Sequence, residues 1–571
     1  MQALTFVLAC ILNCQLVLCT TQQTCDSLIY CQGDLLDTVQ RARIFDDSKT
    51  FVDMRQINPS TTTLKNFKKL KQETKNNPTK ENIRKFVNNN FVLEGELEPW
   101  TPPDYKNKPA FLKLIKDEKV KNFTQNLIGI WPTLGRKVRQ DVIDNPDRHS
   151  FISVPNGFII PGGRYREIYY WDSYWIIKGL LICEMKSTAR GMLENLLSLV
   201  KRYGFVANGS RVYYLNRSQP PLLTLMVSLY IDATNDLKWL RTNVQVLDRE
   251  LSWWLANRTV SVVKNGVNYT LAHYGCRSGT PRPESYYEDL ETCRVFHQQS
   301  KQEECYKDIK SAAESGWDFS SRWMFDSKGD ANGNLSDTQT RRVIPVDLNA
   351  FLCKAFEELS IFYLKVGHTS KVIQWKEKAE EWRKSILMVL YNSEDGIWYD
   401  YDVILSRPRK IFYPSNLAPL WTESYDPTIN GGEEYGSRAA KYLKDQGVKE
   451  YKGGIPASLT QTGEQWDFPN AWPPLQEIVI LGLLNTHDRD ARLLAENFGM
   501  RWIRANIKGY QESGKMFEKY DSVNPGQYGN GGEYPVQTGY GWSNGIALSL
   551  INIYYTKKNL SREDTGVKLD L

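Results

Sequence analysis

The 571-residue chain is poor in histidine, with five residues in all, and this argues against catalysis centred on imidazole. It has no Cys-x-x-Cys pair and no histidine cluster beside its cysteines. The nitrogen and sulfur set that zinc demands is therefore not in reach of neighbouring residues, and no metal is expected. Neither sign of charge dominates. The 72 basic and 66 acidic residues leave a net charge of +6, too thin for the clustered basic face of a nucleic-acid binder. Pro/Ser-rich linkers and low-complexity blocks are missing as well, which favours one large domain over a string of modules.

The first twenty residues, MQALTFVLACILNCQLVLCT, are predominantly apolar. They read as a secretory signal cleaved near residues 19 to 21. Asn13 and Gln15 interrupt the run and disfavour a spanning helix, although the lack of Lys or Arg leaves a retained anchor as the alternative. The C-terminal TKKNLSREDTGVKLDL is polar and has no lipid-anchor tail. The expected organisation is a signal peptide over 1–20 and a single domain over 21–571. That domain would have a polar, Lys/Asn-rich N-terminal extension to about residue 100 and a short polar tail. The basic run in the extension reads as a solvated helical face. The expected product is a soluble secreted protein.

Cleavage would remove Cys10, Cys14 and Cys19 and leave seven cysteines, so at least one is free or pairs between chains. Cys25 with Cys31, and pairings among Cys276, Cys293 and Cys305, are the candidate disulfides of an oxidising compartment. Seven N-x-S/T sequons, at Asn122, Asn208, Asn216, Asn257, Asn268, Asn334 and Asn559, fit a glycoprotein.

Aromatic residues are abundant, with 17 Trp, 31 Tyr and 21 Phe. Helical spacing of apolar residues appears in 187–204, 220–258, 347–367, 375–392 and 474–485. Loops dense in Gly, Pro, Trp and Tyr separate these stretches, while convincing period-2 alternation is scarce. The expected fold class is all-α, a toroid or bundle whose long loops collect at one end as a cleft.

Residues 161–175, PGGRYREIYYWDSYW, combine flat rings, guanidinium forks and carboxylates. A pyranose offers apolar C–H faces to Trp and Tyr, and hydroxyls to Arg and carboxylate. The same vocabulary returns in RSQPP (217–221), RPES (282–285), SGWDFSSRW (315–323) and QWDFPNAWPP (465–474). Glu518 in FEKYD and Glu533 in GNGGEY follow. Several such loops suit a glycosidase, which needs two carboxylates flanking a scissile bond.

The motif of Pro-Gly-Gly-Arg, an aromatic, Glu and Trp-Asp at 161–174, the complete SGWDFSSRW and QWDFPNAWPP segments, and the glycine-rich Glu-Tyr loop at 529–534 resemble the α,α-trehalase family. These are inverting glycoside hydrolases with an (α/α)6 barrel. The likeness runs from about residue 30 to 555. It implies hydrolysis of the small-molecule substrate trehalose without metal or organic cofactor. It implies Asp318 as general acid and Glu518 as general base, their carboxyls about 6.5–9.5 Å apart as inversion requires. The substrate contacts it implies are Arg164, Trp171, Asp172, Asn208, Arg217, Ser218, Gln219, Arg282, Pro283, Glu284, Gly316 and Glu533. The arginines are expected to hold Asp318 and Glu518 and tune their ionisation, with Trp317 and Trp323 desolvating the acid. Glu167, Arg322 and Asp467 are expected to be supports.

Two positions depart from the family pattern. Tyr165 stands where Phe is usual, and Asn530 interrupts the glycine run. Asn208 is both a sequon and an implied substrate contact, so it is expected to carry no glycan. Rival functions are a glycosidase for another α-glucoside and a sugar sensor without turnover.

Overall fold

The computed structural model describes residues 25–556, apart from 94, 427 and 429–431. The expected signal segment and the tail from 557 onward lie outside the described residues, as do Cys10, Cys14, Cys19 and Asn559. Among the described residues, no helix is long and apolar enough to cross a membrane.

Twelve helices, alternately outer and inner in chain order, build two concentric rings. They are α1 (Glu118–Leu134), α2 (Asp172–Ile182), α3 (Lys186–Tyr203), α4 (Leu223–Thr234), α5 (Leu237–Asn257) and α6 (Val346–Val366). After these come α7 (Thr369–Ser385), α8 (Ala418–Trp421, extended by a 3-10 turn over Pro414–Leu417), α9 (Glu433–Asp445), α10 (Pro473–Asn485), α11 (Arg489–Ser513) and α12 (Gly541–Ile551). The even-numbered helices touch in the order α2, α4, α6, α8, α10, α12, and α12 packs back on α2 to close the ring. The odd-numbered helices lie outside: α3 against α2 and α4, α5 against α4 and α6, α11 against α10 and α12. This is the (α/α)6 barrel that the sequence leads one to expect.

The rings differ in how their helices are patterned. Every residue of α12 is buried, as are most of α2 and α10, because an inner helix meets protein on most sides and needs no polar face. Outer helices such as α3 and α9 keep an apolar stripe inward and charge outward. Local signals set the ends. Asp117, Asp236 and Asp488 accept from the third backbone N–H of α1, α5 and α11. Gly204, Gly367 and Gly514 close α3, α6 and α11 in left-handed conformation.

The helical stretch expected over 220–258 is two helices. Asn235, at φ 52, breaks it between α4 and α5. Strands are short apart from one hairpin, β1 (Thr259–Lys264) and β2 (Val267–Ala272), with Lys264 opposite Val267. Asn265 and Gly266 at its tip have φ 53 and 74, the two positive angles of a type I′ turn. Asn-Gly between β-branched runs was the available sequence signal.

The N-terminal extension folds as further helices, including Asp34–Arg41, Ser60–Glu73 and Lys80–Asn90. In Ser60–Glu73 only Thr63 and Phe67 are buried, so its lysines do form a solvated face. The segment ahead of it clasps the barrel. The Gln40 amide donates to the Pro283 carbonyl at 3.0 Å, Ser48 Oγ to Glu288 at 2.7 Å and Lys49 Nζ to Glu167 at 2.6 Å. One continuous apolar core runs from Ile29 to Ile551. The disulfides are Cys25–Cys31 and Cys293–Cys305, while Cys183, Cys276 and Cys353 are buried thiols.

Candidate active site

The connections that enter the inner helices gather at one end of the barrel, and the chemistry-bearing motifs lie in them. Arg164 and Trp171 precede α2, and Asp172 is its first residue. Asn208 and Arg217–Gln219 lie between α3 and α4, and Trp472 is the cap of α10. Glu518, Glu533 and Tyr540 lead into α12. Arg282–Glu284 and Asp318 flank an additional helix, Gln299–Ser315. Gly316 ends that helix at φ 77, and a Cβ there would sit 2.8 Å from the Trp171 ring. Glycine is thus required both by the left-handed turn and by the close ring.

A single pocket draws on all these loops. It is lined by Arg164, Trp171, Asp172, Asn208, Arg217, Gln219, Arg282, Glu284, Gly316, Asp318, Glu518 and Glu533. Ser218 and Pro283 do not line it. Ser218 turns away, its Oγ donating to the Val206 carbonyl at 2.7 Å and its N–H to Glu314 at 2.9 Å. Pro283 lies behind the wall, its carbonyl held by Gln40. The apolar floor is a tryptophan cluster: Trp466 stacks parallel on Trp472 at 3.9 Å, and Trp171 meets Trp466 and Trp542 at 5.8 Å each. Such flat walls suit the C–H face of a sugar ring.

Five carboxyl groups face this space. Burial pushes up Asp172, Asp318, Glu518 and Glu533, while Arg217 and Arg282 hold Glu284 below its ordinary value against burial. Asp318 reaches about 6, against the Arg282 and Arg217 guanidiniums that favour its charged form. Asp172, 4% exposed, reaches about 8, with Glu518 and Asp318 adding repulsion. It therefore stays neutral near pH 6 and can donate a hydrogen bond. The Glu533 backbone is at the surface, but its carboxyl turns inward, 18% exposed and 2.9 Å from Arg282. It reaches about 7 by burial, opposed by that arginine. Burial also raises Glu518, 1% exposed. Lys519, the Gln537 N–H at 3.1 Å, the Tyr534 hydroxyl at 3.0 Å and Arg164 favour its ionised form. These partners distinguish Glu518 from Asp318, since Glu518 accepts two hydrogen bonds suited to a carboxylate.

Residues 43–555 match the family model described as "Trehalase". The trehalase of Tenebrio molitor is 53% identical over 94% of this chain and 96% of that protein. Those of Pimpla hypochondriaca and Homo sapiens are 48% and 45% identical, each over 93% of this chain and 90% of theirs. The chain belongs to the trehalase family. It is a glycoside hydrolase. Among solved structures, the neutral trehalase of Saccharomyces cerevisiae shares the fold, with a TM-score of 0.54 and 21% identity over 70% of this chain and 74% of that one.

Within this trehalase-family site the arginines behave differently from expectation. None of the three hydrogen-bonds Asp318 or Glu518. Arg164 forks onto Asp47 at 2.8 and 2.9 Å, Arg217 binds Glu284 at 2.6 Å, and Arg282 binds Asp289 at 2.7 Å and Glu533. Other carboxylates hold the guanidiniums in place, so they tune the pair through the field alone. The expected desolvating rings also differ. Trp317 and Trp323 are fully buried but do not line the pocket. Trp317 stacks under Trp466 at 5.1 Å, and Trp323 donates to the Trp317 carbonyl at 2.9 Å. The indole rings that line the pocket with Asp318 are Trp171, Trp466, Trp472 and Trp542.

The expected supports are all fully buried. Arg322 binds Asp347 and Asp400 with two bonds to each, at 2.7–3.0 Å. Asp467 takes hydrogen bonds from Ser320, Ser321, Ser458 and Thr462. Glu167, held at about 2 against burial by Lys49 and Arg211, ties the 161–172 loop to the N-terminal clasp. Sequence reasoning missed Asp47, which follows Asp46 in the N-terminal extension, and the pocket tyrosines Tyr169, Tyr214, Tyr534 and Tyr540. Tyr165 packs edge-on against Tyr169, Tyr534 and Tyr540. The Asn530 N–H donates to Asn470 at 2.8 Å, which anchors the glycine loop.

Asn208 is 4% exposed and its amide oxygen accepts from Arg217 at 3.2 Å, whereas Asn122, Asn268 and Asn334 are exposed. Peptide mass spectrometry of protein made in glycosylating cells should find Asn208 bare and glycans at exposed sequons. An occupied Asn208 in active enzyme would remove it from the sugar contacts.

Proposed function

We propose that the chain hydrolyses the α-1,1 bond of trehalose to two glucoses in one inverting displacement, outside the cell. Asp318 protonates the glycosidic oxygen while Glu518 takes a proton from the water that attacks the opposite face of the ring. The remaining lining residues grip hydroxyls. The observation that carries this reading is the pairing of two buried carboxyls, from loops 200 positions apart in the sequence, across one pocket walled by tryptophan and arginine. Two carboxyls and a water suffice for this chemistry. The Cys25–Cys31 and Cys293–Cys305 bridges support an oxidising destination. Expression with and without residues 1–20, followed by assay of the medium, tests export.

Proton NMR in the first minutes of trehalose hydrolysis should show α- and β-glucose in equal amounts before mutarotation. Initial release of α-glucose alone would mean retention and would end this assignment of roles.

The pH profile has a definite sign. Asp318 must hold its proton to act as acid, and burial raises it from 3.8 to about 6. The value of kcat/KM should therefore decline about tenfold per pH unit above that point. Arg282 opposes the rise, so Arg282→Met should move the alkaline limb to higher pH even as overall activity drops. An unmoved limb would mean that Arg282 does not set the acid's ionisation.

A further inference from the structure

Glu518 and Lys519 are consecutive residues at a bend between Phe517, which bridges to Thr538, and a short strand in which Tyr520 pairs with Ala471 and Asp521 with Asn470. Glu518 lines the pocket, while Lys519, with no exposed surface, does not and lies behind the wall. A buried ammonium requires partners, and the ones it finds belong to the neighbouring loops. Lys519 Nζ donates to Gln465 Oε1 and to the Gly531 carbonyl, each at 3.0 Å, and lies 5.3 Å from the Trp472 ring. Gln465 is itself 1% exposed. Its Nε2 donates to the backbone carbonyl of Asp318, its own carbonyl accepts from Trp472 Nε1 at 2.7 Å, and the next residue, Trp466, donates its N–H to Phe319 at 3.0 Å.

Resting on the assignment of Asp318 and Glu518 above, the geometry points to Lys519 and Gln465 as one positioning strut that fixes the separation of the general acid from the general base. The strut runs from the backbone of Asp318 through the Gln465 amide and the Lys519 side chain to the residue beside Glu518. A side arm at Gly531 reaches the loop that carries Glu533. Gly531 and Gly532 have φ 79 and 88, and a Cβ on Gly532 would come 2.9 Å from the Gln465 side chain, so that loop lies directly over the strut. Inversion depends on a gap that admits one water between the ring and the base. A displacement of about 1 Å in such a gap costs about 10²-fold in rate. Neither side chain lines the pocket, so substrate contacts survive its loss.

The test is steady-state kinetics on trehalose for Gln465→Glu, Lys519→Met, the double variant and Lys519→Arg, with Asp318→Asn alongside. Gln465→Glu is isosteric and keeps the acceptor for Lys519, but it removes the donor to Asp318, so it serves even if Lys519→Met does not fold. Each single variant should lose about 10²-fold in kcat with KM within about threefold. The double variant should lose about 10²-fold rather than 10⁴-fold, because both changes cut the same connection. Lys519→Arg should recover about tenfold over Lys519→Met. Wild-type kcat in Gln465→Glu, losses that multiply in the double variant, or a KM that rises in step with the fall in kcat would overturn the strut. If Asp318→Asn is silent while the strut variants run normally, the strut alone falls. If Asp318→Asn keeps its activity, the acid assignment falls first.

Discussion

Asp318→Asn and Glu518→Gln should each lower kcat on trehalose by about 10²–10⁴-fold, the usual contribution of a positioned acid or base, without loosening the fold. Both replacements preserve size. Both also remove a carboxyl that the folded state holds above its ordinary range. The sign of the stability effect follows from linkage. A carboxyl whose pKa is raised on folding contributes its stability below the unfolded value and loses it as pH climbs through the folded value. For Asp318 that window runs from 3.8 to about 6, so at pH 8 the wild-type group is ionised in a dry site. An amide there avoids the cost. Thermal melting at pH 8 should therefore show both variants at or above the wild-type midpoint while turnover collapses. A variant that lost activity and stability together would identify a structural carboxylate, and the roles would have to be reassigned.

The second large effect is expected outside the pocket. Arg322→Met should destabilise the protein by about 3–5 kcal/mol, the cost of breaking a buried ion pair from one side. Arg322 is fully buried and neutralises both Asp347 and Asp400. Losing it leaves two carboxylates without a cation, four residues along from Asp318. Asp347 keeps some compensation at the start of α6, where the helix N-terminus favours negative charge and the Leu348 N–H donates to it at 3.0 Å. Asp400 keeps the Val346 N–H at 2.9 Å. Urea midpoints measure the loss. The triple variant Arg322→Met, Asp347→Asn, Asp400→Asn should recover much of it, because the cost lies in the stranded charges. Equal midpoints for Arg322→Met and wild type would mean that the network is energetically neutral.

Sequence reading identified the all-α fold class and the loops whose residues come together in one pocket. SGWDFSSRW and QWDFPNAWPP are legible because Trp beside Asp is rare on loops free of periodicity, although only Gly316, Asp318, Trp466 and Trp472 of these segments line the pocket, while Trp317, Arg322, Trp323 and Asp467 are buried behind it. The helix ring was legible in part. Apolar spacing marks α3 and α7, and the inner α6 and α10 as well. The inner helix α12 has no wet face and offers no stripe to find. The hairpin at 259–272 carried its Asn-Gly signal inside a stretch dominated by helices. Asp47 was invisible because nothing local marks it. Its role arises from Arg164, 117 residues further on, and only the fold creates that contact. The same holds for the arginines, whose residue type was readable but whose carboxylate partners were not.

The ring that α12 closes upon α2 has a consequence for synthesis. Asp172 and the Tyr540 that approaches it are 368 residues apart. At 5–20 residues per second, the first inner helix waits roughly 20–70 seconds on the ribosome before its last neighbour is made. The clasp around Gln40 waits for Pro283, 243 residues away. Both edges of the open ring are apolar in that interval and exposed to other nascent chains, which makes this stage the one that most needs a chaperone. A partly made chain has no complete pocket, since Trp542 is among its walls. Catalytic competence therefore arrives all at once, with the closing helix, and a premature stop anywhere before residue 540 yields a protein with no activity.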